Sequence, residues 1–279
     1  MTTLDLNKMC LTFDEDCAQL RRWCGEFGRS RARAPSYYIK TFGCQQNDHD
    51  SEIAAGILED VGFIQGTCVE ESDLVLFNTC SVRANADRRF FGHVGRLKPL
   101  KRGGEPVIGV FGCMMEQAIH RDTVTSTFPH VDFMLGAGAM QLLPCALTSI
   151  LSDGQTRKGT LDLIGSGVDV FASGMPVCRK HPHRALITIM TGCNNFCSYC
   201  IVPYTRGREL SRPYGPIMEE VRAAVNKGAT EIMLLGQNVN SYGNDVRRKG
   251  GEAPSFASLL KDISLIDRVE IVRYMTSHP

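Results

Sequence analysis

The sequence predicts an α/β protein, with an open parallel sheet in its amino-terminal half and a second, shorter α/β segment after it. Three observations predict this. Apolar, β-rich runs alternate with stretches of helical period. The first three runs close on Gly43-Cys44, Asn78-Thr79-Cys80 and Gly112-Cys113. A stretch rich in Gly and Ser over residues 152–182 then separates two such alternating regions. Strands alternating with helices build parallel βαβ units, and ligands of such sheets sit beyond the carboxyl ends of the strands.

Residues 1–35 hold six basic and five acidic residues and read as a charged, poorly ordered extension with a short helix across Glu15–Trp23. The amino-terminal domain is expected over residues 36–151. Its first run, Tyr37–Phe42, precedes a helical pattern through Ile53, Ile57, Leu58 and Val61. The second run, Leu74–Phe77, precedes a basic helical stretch, and the third, Val107–Phe111, precedes another helix. A fourth, Val131–Leu135, leads through Gly136 to a helix near Met140–Leu151. Residues 152–182 read as a linker. From residue 183 the second segment runs through the strand Ala185–Met190, a cysteine cluster, a helix near Ile217–Lys227 and the strand Glu231–Leu235. A helix near Phe256–Ile263 and the strand Val269–Tyr274 complete it.

Composition narrows the function classes. The 279 residues carry 31 Lys and Arg against 30 Asp and Glu, so the charge balance holds no global nucleic-acid signature. No apolar run approaches the roughly 20 residues of a membrane helix. No secretory apolar core stands at the amino terminus, and Asp5, Asp14, Glu15 and Asp16 argue against an acid-poor transit peptide. The expected location is the reducing cytoplasm, where recurring thiols mean metal binding or catalysis more often than disulfides.

Cys44, Cys80 and Cys113 are separated by 36 and 33 residues, each about one βαβ period, so three adjacent strands bring their thiols to one sheet edge. Three buried cysteines closing three strands independently is the plainer alternative. The stronger signal is Thr191-Gly-Cys193-Asn-Asn-Phe-Cys197-Ser-Tyr-Cys200. A structural zinc site wants four ligands, and no fourth Cys or His stands at finger spacing, since His181 and His183 lie upstream across a strand. Iron–sulfur ligation is the other common use of tight thiol spacing, and three ligands on a four-iron cluster leave one iron open. Gly192, Asn194, Asn195 and Pro203 argue for a loop rather than a helix here.

Cys193-x-x-x-Cys197-x-x-Cys200, with Tyr199 before the last cysteine, resembles the signature of radical S-adenosylmethionine (SAM) enzymes. With Cys44, Cys80 and Cys113 added, the chain resembles the methylthiotransferases of that superfamily. Thr205-Arg-Gly-Arg-Glu-Leu-Ser-Arg-Pro213, Leu235-Gly-Gln-Asn-Val-Asn-Ser-Tyr-Gly243 and Thr276-Ser-His-Pro279 are similar to the tRNA-2-methylthio-N6-dimethylallyladenosine synthases within it. The resemblance covers about Tyr37–Pro279.

That resemblance implies two 4Fe-4S clusters, one on Cys44, Cys80 and Cys113 and one on Cys193, Cys197 and Cys200. The second would bind SAM at its open iron and cleave it to a 5′-deoxyadenosyl radical, which takes hydrogen from C2 of an isopentenylated adenine at position 37, next to a tRNA anticodon. The first would supply the sulfur. Implied partners are tRNA and a reducing electron-transfer protein, with no membrane and a monomeric enzyme. Tyr199 would pack on the cofactor's adenine or serve as a plain core aromatic. Gly236, Gln237 and Asn238 would contact the cofactor just past a strand end or form an ordinary polar turn. Arg206, Arg208 and Arg212 would meet a carboxylate or a phosphate, or face water. The stretch 81–104 carries Arg83, Arg88, Arg89, Arg96, Lys98, Lys101 and Arg102 against Asp87 alone, which suits RNA backbone or a solvated helix face. Cys10, Cys17, Cys24, Cys68, Cys145 and Cys178 match no pattern and are assigned no site.

A closed (β/α)8 barrel takes roughly 250 residues, and only 97 run from His183 to Pro279. The radical domains of the resembled family are partial barrels followed by a small RNA-binding module. Residues 183–279 are therefore expected to form the first half of such a partial barrel, with Val269–Tyr274 as an exposed edge and the chain a truncated enzyme. Methylthiolation of a ribosomal protein or of another modified adenosine, and a non-catalytic iron–sulfur or zinc-binding remnant, are the competing functions.

Overall fold

A computed structural model describes residues 12–81, 84–101, 105–151, 160–164 and 171–277. The chain divides into two compact units: residues up to Gly43 with Asp50–Cys178, and Cys44–His49 with Arg179 onward.

The first unit is built on β1 (Ser36–Thr41), β2 (Ile64–Gln65), β3 (Leu74–Thr79), β4 (Val107–Gly112), β5 (Phe133–Leu135) and β6 (Leu161–Leu163). All pair in parallel, in the order β2-β1-β3-β4-β5-β6. The order reverses between β1 and β3, which makes that gap the topological switch point where open α/β sheets hold ligands. The helices are α1 (Phe13–Arg31), α2 (Gln45–Val61), α3 (Ala84–Arg96), α4 (Ala118–Thr127) and α5 (Leu143–Leu151).

Strand alternation sorts the sheet's two faces. Leu74 and Leu76 pack with Leu20, Ile53, Ile57 and Ala146 from α1, α2 and α5. Val75 and Phe77 pack on the other face with Phe90, Val94 and Val124 from α3 and α4. Gly109 in β4 stands in register with Phe133, and a Cβ there would lie 2.2 Å from the Phe133 ring. The missing side chain makes room for a fully buried aromatic.

Two expectations for this unit need correction. The segment read as a poorly ordered extension with a short helix, of which residues 1–11 lie outside the described residues, carries a 19-residue helix from Phe13, opened by a capping box in which Thr12 and Glu15 bond reciprocally. It persists past Trp23 because Cys17, Leu20, Cys24 and Phe27 keep helical spacing and bury one face, which outweighs Gly25 and Gly28. The segment read as linker includes β6, paired to β5 through Leu161 and Leu163, both buried. Residues 152–159 and 165–170 of that linker lie outside the described residues.

The second unit carries a parallel sheet in the order β11-β10-β7, from β7 (Arg184–Thr188), β10 (Glu231–Leu235) and β11 (Ile271–Tyr274). Its helices are α6 (Val202–Thr205), α7 (Tyr214–Asn226), α8 (Asn244–Arg248) and α9 (Phe256–Ser264). Ile187, Ile232 and Leu234 pack against Ile217, Val221 and Ala224 of α7 and Leu259 and Ile263 of α9. Leu186, Met233 and Leu235 form a smaller apolar cluster on the opposite face. A two-residue antiparallel pair, β8 (Met190–Thr191) with β9 (Leu210–Ser211), closes off the stretch containing the cysteine cluster. Among the described residues no helix is long and apolar enough to cross a membrane.

Candidate functional site

The first cysteine triplet follows the carboxyl ends of three strands that are neighbours in the sheet. Thr41 pairs with Asn78, Asn78 with Phe111, and Thr79 with Gly112, so the chain leaves β1, β3 and β4 at one level. In sequence Cys80 and Cys113 come directly after β3 and β4, and Cys44 three residues after β1. A buried polar network holds two of the strand ends: Asn78 donates to Ser51 Oγ at 2.9 Å, and Ser51 and Thr41 hydroxyls are 2.8 Å apart. Phe42 N–H donates to the Asn78 carbonyl at 2.7 Å. Thr79 donates to the Phe111 carbonyl at 2.8 Å, tying β3 to β4.

Gly112 is in the left-handed region (φ 105°), and a Cβ there would lie 2.4 Å from the Thr79 carbonyl. That position admits only glycine, which explains the Gly-Cys spelling. Cys80 and Cys113 are buried and Cys44 is half-buried at the amino end of α2, where the helix's partial positive charge favours anionic sulfur. Gln117 donates to Ser81 Oγ at 3.1 Å and links the turn after Cys113 to the one after Cys80.

The second triplet sits on an irregular loop between β8 and α6, as Gly192 and Asn194 predict. Four contacts fix it. Gly192, at φ 76°, packs so tightly that a Cβ would lie 2.1 Å from the Arg208 carbonyl. Its N–H donates to Gln237 Oε1 at 2.7 Å. Cys193 N–H donates to the Gly207 carbonyl at 3.1 Å. Asn194 and Glu209 bond reciprocally, side chain to side chain at 3.1 Å and Glu209 N–H to Asn194 Oδ1 at 3.2 Å. Within the loop, Cys200 N–H donates to the Cys197 carbonyl at 2.9 Å. Cys193 is buried, while Cys197 and Cys200 are half-buried.

Among the described residues no three His, Cys, Asp or Glu side chains are gathered tightly enough to hold a single metal ion. The donor chemistry of both triplets, soft thiols without disulfides, fits an iron–sulfur cluster. By contrast, burial pushes Cys17 up to about 11 and Cys24 to about 12, marking these unassigned cysteines as inert core thiols. Grooves of about 650 and 740 Å³ open elsewhere, and none of the six cysteines lines either.

The other predicted residues divide. Gly236 follows β10 and admits no side chain, since a Cβ would lie 2.7 Å from Met190. Gln237 spends its carbonyl on Gly192, and Asn238 is buried with its amide donating to Ser241 Oγ at 2.7 Å. Thr276 Oγ1 donates to the Gly236 carbonyl at 3.1 Å, so the terminal motif braces this same turn. His278 and Pro279 lie outside the described residues.

Tyr199 is 88% exposed and therefore is not the plain core aromatic of the alternative. Arg206 caps α6 through its N–H to the Val202 carbonyl at 2.8 Å. Arg212, read as an oxyanion ligand or a surface arginine, is buried, ion-paired with Glu220, and donates to the Thr188 carbonyl at 3.3 Å. Arg88, Arg89, Arg96 and Lys98 are exposed on or just after α3, Lys101 is ion-paired with Asp132, and Arg83 and Arg102 lie outside the described residues.

Residues 36–136 match the Uncharacterized protein family UPF0004, and residues 187–275 match the Radical SAM superfamily. The chain carries a UPF0004 region followed by a radical SAM region. Two similar proteins are both named tRNA-2-methylthio-N(6)-dimethylallyladenosine synthase. That of Acetivibrio thermocellus is 45% identical over 244 residues, 87% of this chain and 49% of the relative. That of Carboxydothermus hydrogenoformans is 46% identical over 245 residues, 88% of this chain and 54% of the relative. The chain thus spans about half the length of the relatives it matches. Its fold is similar to the radical SAM methyltransferase TsrM from Kitasatospora setae, solved with cobalamin and a 4Fe-4S cluster bound, at a TM-score of 0.51 and 14% identity, over 88% of this chain and 59% of that one.

Proposed function

We propose that this radical SAM chain belongs to an enzyme that transfers a methylthio group to C2 of N6-(dimethylallyl)adenosine at position 37 of tRNA, next to the anticodon. The identity of 45% over 87% of the chain to a synthase of that name carries the reading. Cys44, Cys80 and Cys113 would hold one 4Fe-4S cluster, and Cys193, Cys197 and Cys200 a second, each leaving one iron open. Such clusters, when bound, supply the electron for SAM cleavage and the sulfur for transfer, chemistry that a protein positions and shields.

The chain's own residues do the positioning. Gly192, Asn194, Glu209 and Gln237 shape the second loop, and Thr41, Ser51, Asn78 and Thr79 brace the first sheet edge. Tyr199, Gly236, Gln237, Asn238 and Arg206 would line the SAM site, with Gln237 and Asn238 acting through the turn they hold. Exposed Arg88, Arg89, Arg96 and Lys98 would meet tRNA phosphates, with an affinity that falls as salt rises. The cytoplasm, a reducing electron-transfer protein as donor, and a monomeric enzyme complete the reading.

Anaerobic reconstitution with iron and sulfide tests it. Iron rather than zinc, in two clusters per chain, together with SAM cleavage by the reduced protein, is expected. Zinc content, or iron without SAM cleavage, favours the non-catalytic remnant. Nucleoside mass spectrometry of tRNA from a deletion strain should lack the 2-methylthio form and retain its isopentenyl precursor. An unchanged profile moves the substrate to a ribosomal protein or another adenosine.

A further inference from the structure

Nine large hydrophobic side chains are exposed among the described residues, and four of them, Phe196, Tyr199, Tyr204 and Leu210, fall within residues 196–210 of the second unit. The concentration is local and built. Phe196 is a non-glycine residue at φ 46°, a left-handed conformation that residues with side chains rarely adopt. The backbone turns there in a way that leaves the ring 40% exposed. Tyr204, 71% exposed, meets it edge-on with ring centroids 6.0 Å apart. The Arg208 guanidinium lies 4.5 Å from the Phe196 centroid, a cation–π contact that keeps a positive charge on the aromatic surface.

Charge around the patch is one-sided. Between Gly192 and Arg212 the sole acid is Glu209, which is buried and bonded to Asn194, whereas Arg208 is exposed. Two rings at right angles offer a face and an edge to a flat heteroaromatic, and the guanidinium beside them suits a phosphate. Aromatic faces interleaved with arginine are how proteins hold unpaired bases of single-stranded nucleic acid, each stack contributing about ten-fold or more in affinity. A polyanion carrying loose bases uses both the rings and the arginine.

We propose that Phe196, Tyr204 and Arg208 form a stacking platform for an unpaired base of the RNA substrate, with Phe196 on the Cys193–Cys200 loop and Tyr204 and Arg208 just after it. This rests on the tRNA reading above and adds where a loop base would dock.

The test is fluorescence anisotropy on the full 279-residue chain, with a labelled anticodon-type stem-loop and a blunt duplex of the same stem. Wild type is expected to prefer the stem-loop. F196A and Y204A should each weaken stem-loop binding about ten-fold and leave duplex binding unchanged, while F196Y retains both. Equal stem-loop affinity in wild type and both alanine variants overturns the platform and leaves the tRNA reading standing. Wild-type protein that binds neither RNA overturns the tRNA reading and the platform with it. Slower reduction of the variants by a flavoprotein donor, with stem-loop binding intact, overturns the platform in favour of a donor surface.

Discussion

The side-chain carbonyl of Gln237 accepts the backbone N–H of Gly192 at 2.7 Å, one residue ahead of Cys193. The turn after β10 thereby fixes the start of the loop that carries Cys193, Cys197 and Cys200. Removing the acceptor leaves a half-buried donor unsatisfied, which costs about 1–3 kcal/mol. Q237A should therefore speed loss of the cluster from this loop under oxygen, followed by its visible absorbance. Q237E, which keeps an acceptor, should lose it more slowly.

Two glycines are predicted to be irreplaceable for steric reasons. G192A and G112A each place a Cβ within 2.4 Å of a backbone carbonyl at a left-handed φ. Each should lower thermal stability, and G192A should reduce iron loading at the second triplet alone, by iron analysis against wild type. G207A, where a Cβ meets nothing within 4 Å although φ is 74°, should show the milder loss due to backbone conformation alone.

The Thr41, Ser51 and Asn78 network predicts a stability defect apart from the thiols. N78A leaves buried polar groups unpaired beneath the β1 and β3 ends and should cost about 1–3 kcal/mol, read by urea denaturation of the apoprotein. G109V drives a branched side chain into the Phe133 ring and should be worse.

Acid sensitivity follows from Asp73. Burial pushes its carboxyl up, but hydrogen bonds from Arg33 and Ser36 outweigh this and hold it below its ordinary value. A folded-state pKa below the unfolded one contributes stability above the ordinary carboxylate range, lost as pH falls through the depressed value. The Tm gap between wild type and D73N should be widest near neutral pH and close in acid. Asp16 has the opposite sign: burial raises it despite the Thr148 hydroxyl. Its contribution is present below the ordinary carboxylate range and lost as pH rises through the raised value. D16N should therefore lose less at neutral pH than D73N.

What the sequence disclosed was local. β10 falls on the bounds that its β-branched and aliphatic run predicts, and Gly112 marks the end of β4 because the close approach of the Thr79 carbonyl leaves a spelling in the sequence. The helix α1 extends twice as far as its charge-rich appearance suggests, since burial of Leu20, Cys24 and Phe27 outweighs polar composition; the capping box at Thr12 was the available signal. Contacts between distant residues left no such trace. Neither Gln237 with Gly192, 45 residues apart, nor the burial of Arg212 beside Glu220 follows from periodicity, because both arise only when β8, β9 and β10 come together. Phe196 reads as any aromatic until its left-handed φ and the arginine over its ring are seen.

The central claim is that two independent thiol triplets each hold one iron–sulfur cluster. Iron and sulfide analysis of the anaerobically reconstituted chain tests it most directly, comparing wild type with C44A/C80A/C113A and C193A/C197A/C200A. Each triple variant should retain about half the wild-type iron, and the variant lacking all six thiols none. Full iron in either triple variant, or zinc in place of iron, would contradict the account.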